Sequence, residues 1–302
     1  MRGKTFLILN NNKYILFGVF IFFASCAPAQ YSNNTINRVE TSKWKSPQNT
    51  DIENVDGLSP KLVDLEQACS AGDMSKCYEL GRAFFNGSLG AAQDYERAIP
   101  LLKTACKNKS GSSCNLLGIA YGKGLGLLTD SEKEHHFYEL GCNLGDAVAC
   151  HNLAFMYQSC ESVKRNPGKA VELYTKSCDL GAAESCINAG NILRTGDGVK
   201  VDLSEAFRVY ELACKNHGGK WCLSLANMYE NGLGTEIDYV ESKNIFEDIC
   251  EGNFSEGCIN LGNIYFYGYG VEIDKVKAKK LYQKACDLGD PDGCKYAKDE
   301  FE

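Results

Sequence analysis

The stretch that decides the fold runs from Leu261 to Cys294, LGNIYFYGYGVEIDKVKAKKLYQKACDLGDPDGC. It opens on residues with helical apolar spacing, breaks at Gly268 and Gly270, and restarts at Asp274. An Asp there suits a helix N-cap, because its side-chain oxygen accepts from the otherwise unpaired N–H groups of the first turn. The second segment ends on Cys286, and Cys294 follows eight residues later. The stretch therefore reads as helix A, a glycine turn, helix B and a second turn.

The same grammar recurs upstream. Cysteine pairs stand at Cys69/Cys77, Cys106/Cys114, Cys142/Cys150, Cys178/Cys186, Cys214/Cys222, Cys250/Cys258 and Cys286/Cys294. First members recur at 37 residues once and at 36 residues five times. A fixed period of this size marks a stacked array, in which each unit buries its apolar face against its neighbours.

We count from the second cysteine of each pair. Position +3 is Leu80, Leu117, Leu153, Ala189, Leu225 and Leu261, and +7 is Phe84, Tyr121, Tyr157, Leu193, Tyr229 and Tyr265. Position +4 is Gly81, Gly118, Ala154, Gly190, Ala226 and Gly262. Spacing of 0, 3, 4 and 7 is one helical face, and the small residue at +4 is expected to admit a close partner helix. The expected N-caps of helix B are Asp94, Asp130, Asn166, Asp202, Asp238 and Asp274. Glycines 72, 145, 181, 252 and 289 are expected to take the left-handed conformation that ends helix B.

Two cysteines eight apart on one continuous helix would lie about 12 Å apart, beyond the roughly 7 Å limit for a disulfide. A turn must intervene, so the end of helix B would face the first turn of the next helix A. Bridging all seven pairs is one reading. Zinc is its rival, although zinc sites usually gather four ligands in tighter pairs, and an oxidising compartment favours bridges. Of the sixteen cysteines, Cys26 and Cys160 remain outside the pairs.

This pattern resembles the Sel1-like repeat, a relative of the tetratricopeptide repeat. The cysteine spacing resembles that of the Helicobacter cysteine-rich proteins. The third unit departs from it, with Cys160 and Ser162 where the turn glycines stand elsewhere. The implied fold is an all-α, α/α solenoid superhelix stapled by disulfides. The array is expected over 60–297, with about six full units and partial terminal units.

The amino terminus carries Arg2, Lys4 and Lys13, then an apolar run YILFGVFIFFA at 14–24, then small residues up to Cys26. Eleven apolar residues are too few to span a bilayer as a helix, and the pattern reads as a secretory signal over 1–25. FASC resembles a bacterial lipobox, which makes Cys26 the lipidated first residue; cleavage after Ala29 is the alternative. Residues 26–59 are polar and read as a tether, and 298–302 as an acidic tail. The chain carries a net charge of -7, and losing the signal makes it more acidic. That balance disfavours nucleic acid, whose phosphates need Lys and Arg.

No catalytic constellation stands out. The Helicobacter resemblance implies a weak β-lactamase or penicillin-binding activity, and Ser42-Lys43-Trp44-Lys45 and Arg194-Thr195-Gly196 are the nearest approaches to its motifs. Ser42 falls in the tether, and Gly196 is a repeat turn glycine. The histidines (His135, His136, His151, His217) lack ligand spacing, so neither a metal nor a cofactor is expected.

The candidate surface is a ladder of amides on helix A: Asn152, Asn188 and Asn260 at +2, and Asn191, Asn227 and Asn263 at +5. At about 100° per residue these lie near 200° and 140°, away from the inward face. Resemblance to tetratricopeptide arrays places this face in the concave groove, where Asn can pair with a peptide backbone. The competing reading is that these amides pin adjacent repeats together. The expected function is an exported, monomeric, lipid-anchored envelope scaffold, periplasmic or at the cell surface. Its groove would take a protein, a peptide or a peptidoglycan fragment. Alternatives are the hydrolase, a secreted form, and a purely structural envelope protein.

Overall fold

The computed structural model describes residues 59–159 and 163–299. The signal segment, Cys26, the tether to residue 58 with its Ser42 motif, Cys160, Ser162 and residues 300–302 lie outside them. Among the described residues there are fourteen α-helices, one turn of 3-10 helix and no strand. The B helices are α1 (Pro60–Ser70), α3 (Tyr95–Lys107), α5 (Ser131–Asn143), α7 (Pro167–Asp179), α9 (Leu203–His217), α11 (Tyr239–Glu251) and α13 (Lys275–Asp287). They alternate with the A helices α2 (Met74–Asn86), α4 (Gly111–Lys123), α6 (Ala147–Ser159) and α8 (Ala183–Thr195). The series continues with α10 (Leu223–Asn231), α12 (Ser255–Tyr267) and α14 (Pro291–Asp299). The 3-10 turn Gly219–Cys222 leads into α10. Helices that follow one another in the chain pack together, and α4 also touches α2 and α6, while α7 touches α9.

Every A-to-B turn is closed by the same two devices. The capping side chain accepts from the backbone three residues on: Asp94 from Arg97, Asp130 from Lys133, Asn166 from Lys169, Asp202 from Glu205, Asp238 from Glu241 and Asp274 from Lys277. The N–H of that same residue donates back to the +7 carbonyl, as in Asp274 to Tyr265 at 2.9 Å and Asp94 to Phe84 at 2.8 Å. Orphaned groups at both helix ends are thereby satisfied within one turn.

Every B-to-A turn is closed by a disulfide. The seven bridges are Cys69–Cys77, Cys106–Cys114, Cys142–Cys150, Cys178–Cys186, Cys214–Cys222, Cys250–Cys258 and Cys286–Cys294. Their Cα–Cα separations run from 4.3 Å at Cys214–Cys222 to 4.9 Å at Cys106–Cys114. The thiolates that zinc would need are therefore consumed.

Ten of the fourteen bridged cysteines are also buried in the core, and Cys69, Cys214, Cys286 and Cys294 are half-buried. Cys77, Cys150 and Cys258 are 1%, 0% and 0% exposed, so no ligand or reductant in solvent touches them while the array is folded. Each occupies the first turn of its A helix, in α2, α6 and α12, on the inward face. Their Sγ atoms stand 3.5, 3.6 and 3.6 Å from the carbonyl oxygens of Cys69, Cys142 and Cys250, their own bridge partners. A bridged sulfur has no proton to donate, so these are packing contacts and not hydrogen bonds. Cys222 differs, because it ends the 3-10 turn instead of lying inside the A helix.

Glycines 72, 145, 181 and 289 are left-handed as expected. Gly252 is not: its φ is -69°, and Asn253 takes the left-handed role at +63°. Asn tolerates that region through local hydrogen bonding of its short side chain.

The core follows the 0, 3, 4, 7 face, and the +4 position explains its tightness. A Cβ added to Gly262 would lie 2.6 Å from the ring of Tyr282, and one on Gly190 would strike the ring of Tyr210. Position +6 forms a second buried ridge that the 0, 3, 4, 7 pattern leaves out: Ala83, Ala120, Met156, Ile192, Met228 and Ile264 are all 5% exposed or less. A stacked unit is covered on its flanks by its neighbours, which a single helical hairpin does not reveal.

Candidate functional site

From α7 onward, each B helix drives one large ring beneath the A helix before it. Tyr174, Tyr210, Phe246 and Tyr282 are buried almost completely. Where the ring is Tyr, its hydroxyl emerges among the polar residues of the A-helix surface. Tyr210 donates to Asn191 Oδ1 at 2.8 Å, and Tyr282 donates to Asn263 Oδ1 at 2.8 Å. Tyr174 donates to Gln158 Oε1 at 2.9 Å and faces Asn188 of the next unit. Burial raises the Tyr174 hydroxyl to about 12 and pushes Tyr138 and Tyr210 upward as well. These hydroxyls stay protonated and remain donors.

Asn191 and Asn263 are thus held from below. Asn191 and Asn227 are exposed, while Asn152, Asn188, Asn260 and Asn263 are half-buried. Asn152 Nδ2 donates to Oδ1 of buried Asn115 at 2.9 Å, joining α6 to α4, which is the pinning role. In Asn191 and Asn263 the side-chain oxygen is taken by Tyr, so the two N–H donors are the groups left for other partners. The face is therefore both structural and open, at different residues.

A polar relay that sequence reasoning missed lies beside it. Ser177 Oγ donates to the Ala147 carbonyl at 2.7 Å, and Ser177 and Ser185 are 2.7 Å apart at Oγ. Ser185 also meets His151 Nδ1 at 2.8 Å. Each hydroxyl has one proton and the carbonyl has none. The protons must therefore run from His151 Nδ1–H to Ser185, from Ser185 to Ser177, and from Ser177 to Ala147. Burial lowers the His151 pKa, and the charge of Glu184 partly opposes the shift.

Other polar groupings are structural or unassembled. One shallow recess is lined by Ser131, Glu132, His135 and Val163, but His135 Nε2 pairs with the Tyr157 hydroxyl at 2.9 Å. Thr195 bonds back to the Asn191 carbonyl at 2.7 Å, and Gly196 is the left-handed cap of α8. Among the described residues no group of three His, Cys, Asp or Glu side chains is gathered for a metal. No helix among them is long and apolar enough to cross a membrane.

The Sel1 repeat family model matches six segments, residues 77–110, 111–146, 147–181, 183–217, 222–247 and 255–290, well over half of the chain. Among solved structures, a protective antigen of uropathogenic Escherichia coli with an SLR fold is similar at 24% identity and a TM-score of 0.63. That match covers 78% of this chain and 58% of the antigen, so this chain spans under two thirds of that relative. A Sel1 repeat protein from Oxalobacter formigenes is 23% identical with a TM-score of 0.63, covering 74% of this chain and 88% of that one. Cysteine-rich protein B of Helicobacter pylori is 23% identical over 55% of this chain and 94% of its own, with a TM-score of 0.25. No curated protein matches by sequence.

Proposed function

Because the chain belongs to the Sel1 repeat family, whose arrays are scaffolds for protein–protein interaction, we propose that it holds a protein or peptide segment along the amide face of α6, α8, α10 and α12. The observation that carries this reading is the set of amides anchored by tyrosine hydroxyls. With its oxygen fixed, the side chain of Asn191 or Asn263 offers two N–H donors in a constrained orientation. Pre-positioned donors cost less entropy to engage than free ones, and a peptide carbonyl is their natural partner. A peptidoglycan fragment, which also carries amide carbonyls, is a second candidate ligand.

Seven disulfides suit an oxidising extracellular or periplasmic setting. We place the protein there as an exported monomer, tethered through a lipid on Cys26 at the start of the 26–59 segment.

Selection of a displayed random-peptide library against the oxidised protein tests the reading. Enriched peptides should compete with one another and protect α8, α10 and α12 from hydrogen exchange. Protection confined to B helices, or no enrichment, would refute it.

A further inference from the structure

From α7 onward the ring ladder has one break. Tyr210 lies nineteen residues after the +5 Asn191 and also faces Arg194 at +8 and Ser224 at +2 of the next unit. Tyr174 lies sixteen residues after the +8 Gln158 and faces Asn188, again at +2 of the next unit. The hydroxyls of Tyr174, Tyr210 and Tyr282 are thus spent on the +5 or +8 residue of the A helix before them, and for Tyr174 and Tyr210 the +2 residue of the following helix lies beside. In the unit beginning at Cys222 the ring is Phe246, fully buried and without a hydroxyl. The residues at the three equivalent positions are Asn227, Glu230 and Asn260.

None of these three side chains makes a hydrogen bond among the described residues, in contrast to Asn191, Asn263 and Gln158. Glu230 is half-buried, and burial alone pushes its carboxyl above the usual carboxylate range. A carboxylate partly removed from water, with no internal donor, gains most from an incoming charged donor, because the Coulomb term strengthens as the local dielectric falls. Asn227 lies three residues before it on α10, and the register in which Tyr174 meets both Gln158 and Asn188 brings Asn260 to the same place; these two amides supply acceptors for the remaining protons of an ammonium or guanidinium group.

We infer that Asn227, Glu230 and Asn260 form a recognition socket for a cationic side chain, a lysine or arginine of the segment bound along the A-helix face. The inference rests on the proposed binding face and specifies which ligand chemistry it selects. The negative net charge of the chain favours the approach of such a segment. The tyrosine units hold the ligand backbone, and the phenylalanine unit reads one side chain.

The test uses two probes on the intact oxidised protein, followed by NMR of the Glu230 carboxyl and the Asn227 and Asn260 side-chain amides. The first is n-butylammonium, with n-butanol as the uncharged control. It should shift these signals saturably and lower the Glu230 pKa, and n-butanol should do neither. The second is the capped peptide Ac-Ala-Ala-Lys-Ala-Ala-NH2 against its norleucine counterpart. The lysine form should bind about tenfold or more tightly, an advantage lost in Glu230→Gln. Phe246→Tyr restores the hydroxyl that the other units carry, and it should weaken both cations while leaving the fold unchanged by circular dichroism. Absence of any response to n-butylammonium overturns the socket. Equal binding of lysine and norleucine peptides, unaffected by both variants, also overturns the socket but leaves the binding face standing. A socket that takes n-butylammonium in a protein that binds no peptide at all would refute the face alone.

Discussion

The Tyr210 hydroxyl donates to Asn191 Oδ1 at 2.8 Å, so a buried ring on α9 orients an exposed amide on α8. Tyr282 and Asn263 repeat the arrangement two units later. Tyr210→Phe should therefore lower stability by about 1 kcal/mol, the net worth of a typical hydrogen bond. In a double-mutant cycle by urea denaturation, Tyr210→Phe and Asn191→Ala should be less than additive. Simple additivity would mean that the bond contributes nothing.

The close approach at +4 is a separate constraint. Gly190→Ala places a Cβ against the Tyr210 ring and should cost about 1–3 kcal/mol through overpacking. Units with Ala at this position meet a different ring arrangement: beside Ala154, the Tyr174 hydroxyl bonds Gln158 rather than a +5 residue. A thermal melt of Gly190→Ala unchanged from the parent would show that the ring moves aside without cost.

Removing one staple should weaken the array without changing its face. Each bridge spans a sequence separation of 8, and closing so short a loop is worth about 2–3 kcal/mol in the chain-entropy account. Cys178→Ser with Cys186→Ser should lower the midpoint of chemical unfolding accordingly. Because both cysteines of Cys142–Cys150 and of Cys250–Cys258 are buried, dithiothreitol should reduce these two bridges in the parent only as fast as the array opens; their rapid reduction in the folded protein would contradict their place in the core.

Ser242 is fully buried, and its hydroxyl has no hydrogen-bond partner. Alanine stands at the matching place in other units, at Ala98, Ala170, Ala206 and Ala278, each fully buried. Ser242→Ala should stabilise the protein by about 1 kcal/mol or more, because an unsatisfied buried hydroxyl is removed. A loss of stability would reveal a partner for that hydroxyl.

The relay at His151 makes stability pH-dependent. Burial holds the folded ring below its ordinary value of 6.5, so the unfolded chain binds the proton more readily. This contribution is fully present above about pH 6.5 and declines as the pH falls through that value. The fall in unfolding free energy between pH 7.5 and 5.5 should be smaller in His151→Gln than in the parent; an equal fall would assign the dependence elsewhere.

What could be read in the sequence was what depends on neighbours a few residues away. The N-caps act within three residues, the staples within eight, and both repeat often enough to separate from chance. The glycines facing Tyr210 and Tyr282 were visible as a periodic small residue, although not the ring they admit. The Tyr-to-Asn bonds span nineteen residues and need the register between helices, which spacing along one helix does not supply. The signal was nonetheless present: Tyr174, Tyr210 and Tyr282 stand in units with a polar +5 or +8 residue, and Phe246 stands in the unit whose +8 residue is Glu230. The relay of His151, Ser185 and Ser177 crosses two units and has no local pattern. Gly252 misled because the residue after it, Asn253, takes the left-handed conformation instead, which Asn tolerates better than most residues with a side chain.

Side-chain amide NMR of the oxidised protein, titrated with a library-selected peptide, tests the central claim most directly. The account predicts that the Nδ2 signals of Asn188, Asn191, Asn227, Asn260 and Asn263 shift together and saturate at one peptide per chain. Shifts confined to B helices or turns, with those five amides unmoved, would contradict it.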